Sequence, residues 1–242
     1  MVALDAVDPV DVLAFGPHPD DIEIGVGGVV AKHVALRHRV GLCDLSAGEM
    51  GSNGTVDERL AEAEAARGVL GAAWRVNLRL PDRAIGREAE HVRVVASLVR
   101  RARPRVVVAP YWSDRHPDHV SSSQLVSEAV FSAGLRRFPV DGEAWKAGRL
   151  CYYFINDSTT PSFVVDVSAH YDAKRRALAC HVTQFSPSSA DAVATRLTSA
   201  RFHQLIESRD AQFGAQVGVA YAEGLVVRHP VLASHLLEGG AG

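Results

Sequence analysis

VLAFGPHPDD, residues 12–21, runs five apolar or small residues straight into a proline-stiffened turn carrying a histidine and two adjacent aspartates. A short unbroken run of this kind reads as a strand covered on both faces, the mark of a parallel sheet between helical layers. The chain then alternates. Residues 28–37 read as a helix, 40–45 as a second strand, and 56–70 as a helix with Leu60, Ala63, Ala66 and Leu70 at helical spacing. Residues 75–80 alternate as a half-buried strand, 88–103 form a helix stopped by Pro104, and 105–110 form a central strand. Further on, 125–131 continue a helix, 150–156 and 163–168 read as strands, 172–180 and 202–213 as helices, and 222–227 as a short last strand. This order predicts an α/β fold: a Rossmann-like three-layer α/β/α sandwich with a mostly parallel central sheet. It predicts one domain over residues 1–242, with flexible tails at 1–9 and 237–242.

A 242-residue chain with 47% hydrophobic and 22% charged residues is globular in composition and long enough to bury a sizeable core. The formal net charge of −2 gives no electrostatic reason for nucleic acid or an anionic membrane as partner. The first residues, MVALDAVDPVDV, hold no basic segment or long apolar stretch, and no run approaches the length of a membrane span. Cys43, Cys151 and Cys180 are widely spaced and form no C-x-x-C, which fits a reducing compartment. These features predict a soluble, cytoplasmic protein.

The turn at 18–21 has a counterpart much later in the chain: His116-Pro117-Asp118-His119, just beyond the strand at 105–110. Each tetrapeptide sets a possible metal ligand first and another three residues on. Taken singly, His-Pro-Asp is more commonly a loop with a capping aspartate. Two of them after strands of one open parallel sheet carry more weight, because ligands gather beyond the carboxyl ends of such strands. Catalytic zinc is held by three protein ligands from His and Asp/Glu, leaving a position for water. His18, Asp21 and His119 supply that set for one Zn2+ per chain, and such a site also accepts other divalent transition metals. Asp20 is then placed to act as general base on the activated water, and His116 to steady an oxyanion or donate a proton. Asp118 is placed to orient an imidazole. The chemistry predicted is hydrolysis of an amide or ester.

The stretches FGPHPDDIEIGVGG, LCDLSAGEMGSNGT, LPDRAIG, APYWSDRHPDH, EAVFSAG and YAEGL, in that order, resemble the PIG-L/LmbE family of zinc N-acetylglucosaminyl deacetylases. The likeness runs from about Val10 to His235 and is greatest to the bacillithiol-pathway branch, which removes the acetyl group from N-acetyl-glucosaminyl-malate. The resemblance implies zinc on His18, Asp21 and His119, with Asp20 as base and His116, partnered by Asp118, as acid and oxyanion stabiliser. It implies substrate contacts from Arg59, Arg115 and Asp82, and a homo-oligomer, a hexamer in many relatives. Two departures stand out. Pro17 replaces the alanine common before the first His-Pro-Asp-Asp, which restricts the loop but removes no functional group. Relatives carry a tyrosine near Arg201-Phe202 that helps the oxyanion; if Phe202 takes that place, the hydroxyl is lost.

Plainer readings stand beside these. Arg59 can pair with Glu62 or Glu64 on a solvated helix face, and Arg115 with Asp114 or Asp118. Asn53 and Ser46 lie in a loop at the same end of the sheet, where substrate contact and turn formation are equally apt. Glu23 either backs the ligands or interacts with the helix dipole. Gly25-Val26-Gly27-Gly28 partly imitates a dinucleotide fingerprint, but Val30 stands at the third glycine and the acids before it repel a pyrophosphate. Tight packing at a helix start suits those glycines better. The leading expectation is removal of an N-acetyl group from a GlcNAc conjugate, N-acetyl-glucosaminyl-malate in particular. Its rivals are deacetylation of another conjugate, such as an inositol glycoside or chito-oligosaccharide, and a metal-dependent sugar-binding protein without turnover.

Overall fold

The computed structural model describes residues 7–232 and is built on a seven-stranded sheet ordered β3-β2-β1-β4-β5-β7-β6. Strands β1 (Val12–Gly16), β2 (Val40–Asp44), β3 (Trp74–Asn77), β4 (Val106–Pro110) and β5 (Arg149–Tyr153) are parallel. Strand β7 (Ala222–Val226) lies antiparallel between β5 and β6 (Phe163–Asp166). The α/β sandwich expected from the alternation is present. Every residue of β1 and β2 is buried, and successive side chains enter opposite cores. Val12, Ala14, Val40 and Leu42 join the core beneath α1 (Asp21–Ala35), α2 (Val56–Leu70), α5 (Tyr171–Cys180), α6 (Val182–Phe185) and α7 (Ala200–Gln216). Leu13, Phe15, Cys43 and Val107 join the core beneath α3 (Ala89–Ala102) and α4 (Pro117–Ala133).

From β1 the sheet grows through β2 and β3 on one side; the chain then returns to lay β4 on the other edge of β1. The order of strands reverses at β1/β4, and a crevice opens beyond their carboxyl ends. Both His-Pro-Asp turns leave the sheet there.

Two helices begin earlier than the apolar pattern predicts. Helix α4 starts at Pro117 rather than near 125: proline occupies its first turn, and His116 is the N-cap, its ring accepting from the Asp118 N–H. The serines at 121–123 mask its apolar stripe. Helix α1 starts at Asp21 rather than 28 and is kinked at Val26, whose φ of −141° is not helical. The segment predicted from 28 is the part beyond this kink. Glu223 on β7 accepts from the Gly28 and Val29 N–H groups at 3.0 and 2.6 Å, and Arg209 donates to the Ile24 carbonyl at 2.7 Å. The kink's free donors and acceptor are thus met by side chains from other elements. The fully buried Lys174 stands between Glu223 and Asp210, 2.6 Å from each.

The glycines at 25–28 lie inside this helix, not at its start. A Cβ on Gly25 would meet the Tyr153 ring at 2.0 Å, so glycine lets α1 sit directly on β5. Because Glu223 takes the Gly28 and Val29 donors, nothing in this turn is left to bind a pyrophosphate. Residues 7–9, expected in a flexible tail, are tied down: Val7 is buried and the Asp8 carbonyl accepts from the Trp74 indole at 3.0 Å. The remaining expected tail residues, 1–6 and 237–242, lie outside the described residues. Among the described residues no helix is long and apolar enough to cross a membrane.

Glu23 lies in the first turn of α1, where its charge suits the helix dipole, but it backs no ligand. It is fully buried and pairs with Arg75 of β3 at 2.5 Å; Arg75 also reaches Asp44 of β2 at 2.7 Å. Burial pushes the Glu23 carboxyl up, but Arg75 and His181 outweigh it and hold the group below its ordinary range. For Asp44 burial prevails over Arg75, and its carboxyl is raised. One guanidinium therefore serves two buried acids behind the crevice. Arg75→Met is expected to take from both acids the guanidinium they share, leaving only His181 near Glu23, and to cost roughly 3–5 kcal/mol in urea unfolding. A loss under about 1 kcal/mol would show that the two acids do not depend on it.

Candidate active site

Strand β1 ends at Gly16, and the chain stays pinned to the continuation of β2: the Leu45 N–H donates to the Gly16 carbonyl and the Ser46 N–H to that of Pro17. At Asp20 the backbone takes φ 124°, a region that is costly for any residue with a Cβ. Asp20 is the N-cap of α1, yet its side chain makes no capping bond. Its Oδ2 atom is buried with no hydrogen-bond partner and lies 3.6 Å from the Arg59 guanidinium. Burial, and then the charge of Asp21, push the Asp20 carboxyl up to about 6 despite Arg59. An under-coordinated carboxylate with a raised pKa is a base waiting for a proton.

Arg59 is buried rather than solvated. It donates to the Gly48 and Pro19 carbonyls at 2.9 and 3.0 Å and pairs with neither Glu62 nor Glu64. Its guanidinium welds the glycine-rich loop after β2 to the first cluster. The Thr55–Glu58 capping box starts α2 and so fixes where Arg59 leaves the backbone.

Around His18 the acids converge. Its Nδ1 is 3.1 Å from Asp21, and its Nε2 is 3.3 Å from Asp82 and 3.4 Å from Asp118. Burial alone would lower the pKa of this ring, but Asp118, Asp21 and Asp82 outweigh it and raise it well above 6.5. A pocket that keeps its own histidine protonated has an excess of carboxylate suited to a cation. His119 brings its Nε2 to 3.4 Å from Asp21, and ligand atoms of His18, Asp21 and His119 all lie within 4.8 Å of one another. A buried set of two imidazoles and one carboxylate fits a divalent transition metal. His18, His116 and Asp118 form a second such group, with His116 only half-buried.

Two sequence readings need correction. The Asp118 carboxylate does not partner His116: it accepts from the Arg83 N–H and guanidinium at 2.9 and 3.1 Å and faces His18. Only the backbone N–H of Asp118 touches His116, donating to Nδ1 at 3.2 Å. Burial, followed by His119 and His18, lowers the pKa of His116, so it is neutral with its proton on Nε2. Asn53 does not reach into the crevice: its amide both donates to and accepts from the backbone of Val193, at 2.9 and 2.8 Å.

Sequence reasoning also missed Asp114. It accepts from the His116 N–H and lies 3.0 Å from His119 Nδ1, which leaves Nε2 facing the cation position. Nothing in its spacing marked it, since it sits before the motif and outside the repeated tetrapeptide. A cavity of about 450 Å3 opens over the two clusters, and Asp82 and Arg115 also line it. Arg115 pairs with neither Asp114 nor Asp118; it is exposed at the rim, and among the described residues its guanidinium has no partner. At the wall the residue is Phe202, not Arg201, and its ring carries no hydroxyl.

The sequence pattern of the family described as PIG-L: GlcNAc-PI de-N-acetylase matches residues 13–130. The diacetylchitobiose deacetylase of Thermococcus kodakarensis is 30% identical over 191 residues, covering 72% of this chain and 70% of that protein. The 1D-myo-inositol 2-acetamido-2-deoxy-alpha-D-glucopyranoside deacetylase of Rhodococcus opacus is 26% identical over 231 residues, covering 69% and 79%. A conserved protein of known structure from Thermus thermophilus is similar with a TM-score of 0.85 and 38% identity, covering 93% of this chain and 97% of that one.

Asp114→Asn is expected to weaken metal binding about 10–100-fold, read by competition with a chromophoric chelator, because His119 loses its anionic acceptor. Unchanged affinity would remove Asp114 from the site. The raised pKa of Asp20 has a stability consequence in the metal-free protein. The folded value, about 6, exceeds the ordinary 3.8. The stability of the protonated form is therefore complete below about pH 4 and lost as the pH rises through 6. Asp20→Asn should raise the metal-free protein's stability at pH 8 by about 1–3 kcal/mol and leave it nearly unchanged at pH 4. Equal effects at both pH values would contradict this.

Proposed function

The chain belongs to the PIG-L family, and from that premise we propose that it is a metal-dependent deacetylase that hydrolyses the N-acetyl group of a GlcNAc conjugate. One observation carries the reading: the Asp20 carboxylate oxygen, buried without a partner, stands beside the His18, Asp21 and His119 group. A divalent metal on those three residues would polarise the acetamide carbonyl and acidify water.

The chain's own groups supply the rest. Asp20 takes a proton from the attacking water through the oxygen that no hydrogen bond engages. Arg59, 3.6 Å away, keeps that carboxylate from being protonated too readily before the substrate arrives. As the carbonyl oxygen gains charge, the neutral His116 ring donates its Nε2 proton in a hydrogen bond; Asp118 fixes the tautomer through its backbone N–H. The C–N bond then breaks, and the proton held by Asp20 passes to the departing nitrogen. Acetate and a free amine remain. With Phe202 at the wall, His116 is the donor on which the oxyanion depends.

For the conjugate, we favour N-acetyl-glucosaminyl-malate. Its aglycone carries two carboxylates, and the guanidinium of Arg115 at the rim pairs with no acid among the described residues. The two enzymes similar to this chain are named for a chito-oligosaccharide and an inositol glycoside, which makes those neutral conjugates the second reading.

Asp20→Asn is expected to retain its metal, measured by elemental analysis, while turnover falls on the order of a hundredfold or more. Full activity in that variant would overturn the mechanism. Comparing acetate release from the malate, inositol and chitobiose conjugates ranks the substrates; a preference for a neutral one would remove the malate assignment.

A further inference from the structure

Between α6 and α7 the chain runs from 186 to 199 with no helix or strand, and this loop forms one wall of the cavity. A loop of this length is ordinarily mobile. Here it is pinned. Asn53 grips Val193 as a neighbouring strand would, with one bond to its N–H and one to its carbonyl, and Gln184 holds the Asn53 carbonyl at 2.8 Å. Two residues on, Thr195 and Thr198 exchange hydrogen bonds, the Thr195 N–H to Thr198 Oγ1 at 2.9 Å and the Thr198 N–H to Thr195 Oγ1 at 3.3 Å. The turn they close carries Arg196 and Leu197 at its tip, and both line the cavity.

The Arg196 guanidinium carbon lies 5.5 Å from the centre of the Phe202 ring. That stacking orients the guanidinium without using its N–H donors. Among the described residues the Arg196 guanidinium makes no hydrogen bond or ion pair, and neither does that of Arg115, which also lines the cavity. The cavity is therefore polarised. Acids crowd its floor at Asp20, Asp21 and Asp82, and two unpaired guanidiniums stand at its rim. An acetamido sugar is neutral and needs no such rim.

We propose that Arg196 is a specificity-determining residue: the loop pinned by Asn53 carries its guanidinium to the rim, where with Arg115 it grips an anionic group of the substrate outside the acetamido sugar. This rests on the reading of the site as a GlcNAc-conjugate deacetylase. Asn53 is the positioning residue, acting through the loop.

The test compares wild type, Arg196→Ala, Arg196→Lys and Asn53→Ala as metal-loaded full-length proteins, with circular dichroism melting as the folding control. KM and kcat are measured by acetate release from N-acetyl-glucosaminyl-malate and from neutral N,N'-diacetylchitobiose. Binding of glucosaminyl-malate and of glucosamine is followed by calorimetry, which needs no turnover. Arg196→Ala should raise KM and Kd for the malate ligands about 10–100-fold more than for the neutral ones, with kcat much less affected. Arg196→Lys should recover part of the loss, and Asn53→Ala should move KM in the same direction. Equal changes for anionic and neutral ligands, or no change for either, would overturn the proposal. If neither conjugate releases acetate, the deacetylase reading fails, while calorimetry still decides the role of Arg196. Failure of wild type to bind glucosaminyl-malate more tightly than glucosamine would overturn it too.

Discussion

Parallel pairing of β1 with β4, through Val12, Leu13 and Ala14 against Val106, Val107 and Val108, is the contact on which the whole site depends. Neither His-Pro-Asp turn holds three ligands by itself. Each becomes half of a site only because strands far apart in sequence are hydrogen-bonded neighbours whose chains leave the sheet at the same end. Both turns then run directly into helices, so Asp21 and His119 sit in the first turns of α1 and α4, with side-chain directions set by helical backbones. Rigid elements hold such atoms more accurately than loops do.

That arrangement concentrates negative charge. Asp20, Asp21, Asp82, Asp114 and Asp118 surround three imidazoles at the bottom of an open cavity, and the fold answers with paired cations behind the floor. Arg59 faces Asp20, and Arg75 neutralises Glu23 and Asp44 one layer further back. Lys174 and Arg209 stabilise the kink of α1, the helix that presents Asp21. Where the compensation stops, at Asp20, the backbone is strained and a carboxylate oxygen lacks a partner. A residue so costly to the fold is retained where reactivity needs it.

Much of the sheet was legible in the sequence, because strands buried on both faces leave continuous apolar runs: β1, β2 and β4 emerge within a residue or two of their observed bounds. Helix starts were harder. The first turns of α1 and α4 are made of Asp, His, Pro and Ser, residues used for chemistry, and they break the apolar period that marks a helix. In the site, both tetrapeptides were visible because they repeat one spacing. The partner of each imidazole was not. Asp118 was the obvious neighbour for His116 along the chain, yet it turns to Arg83 and His18, while Asp114, outside the motif, faces His119. Asn53 and Arg196 were beyond reach for a similar reason, since their roles arise from one loop folding over another.

Residue order alone was enough to set out the candidate chemistry: two stiffened turns after buried strands, offering His18, Asp21 and His119 as candidate metal ligands and Asp20 and His116 as candidate proton handlers. Residue type and local spacing are enough for that, because a strand and the turn after it take their form from a few adjacent residues. Only the tertiary structure decided which groups are free and which are spent. Burial and charge depend on neighbours distant in sequence, and these left an Asp20 oxygen without a hydrogen bond, turned Asn53 into a loop clasp and, among the described residues, left Arg115 and Arg196 without counter-ions. A side chain's identity sets what it can do; the partners that packing brings to it set what it does.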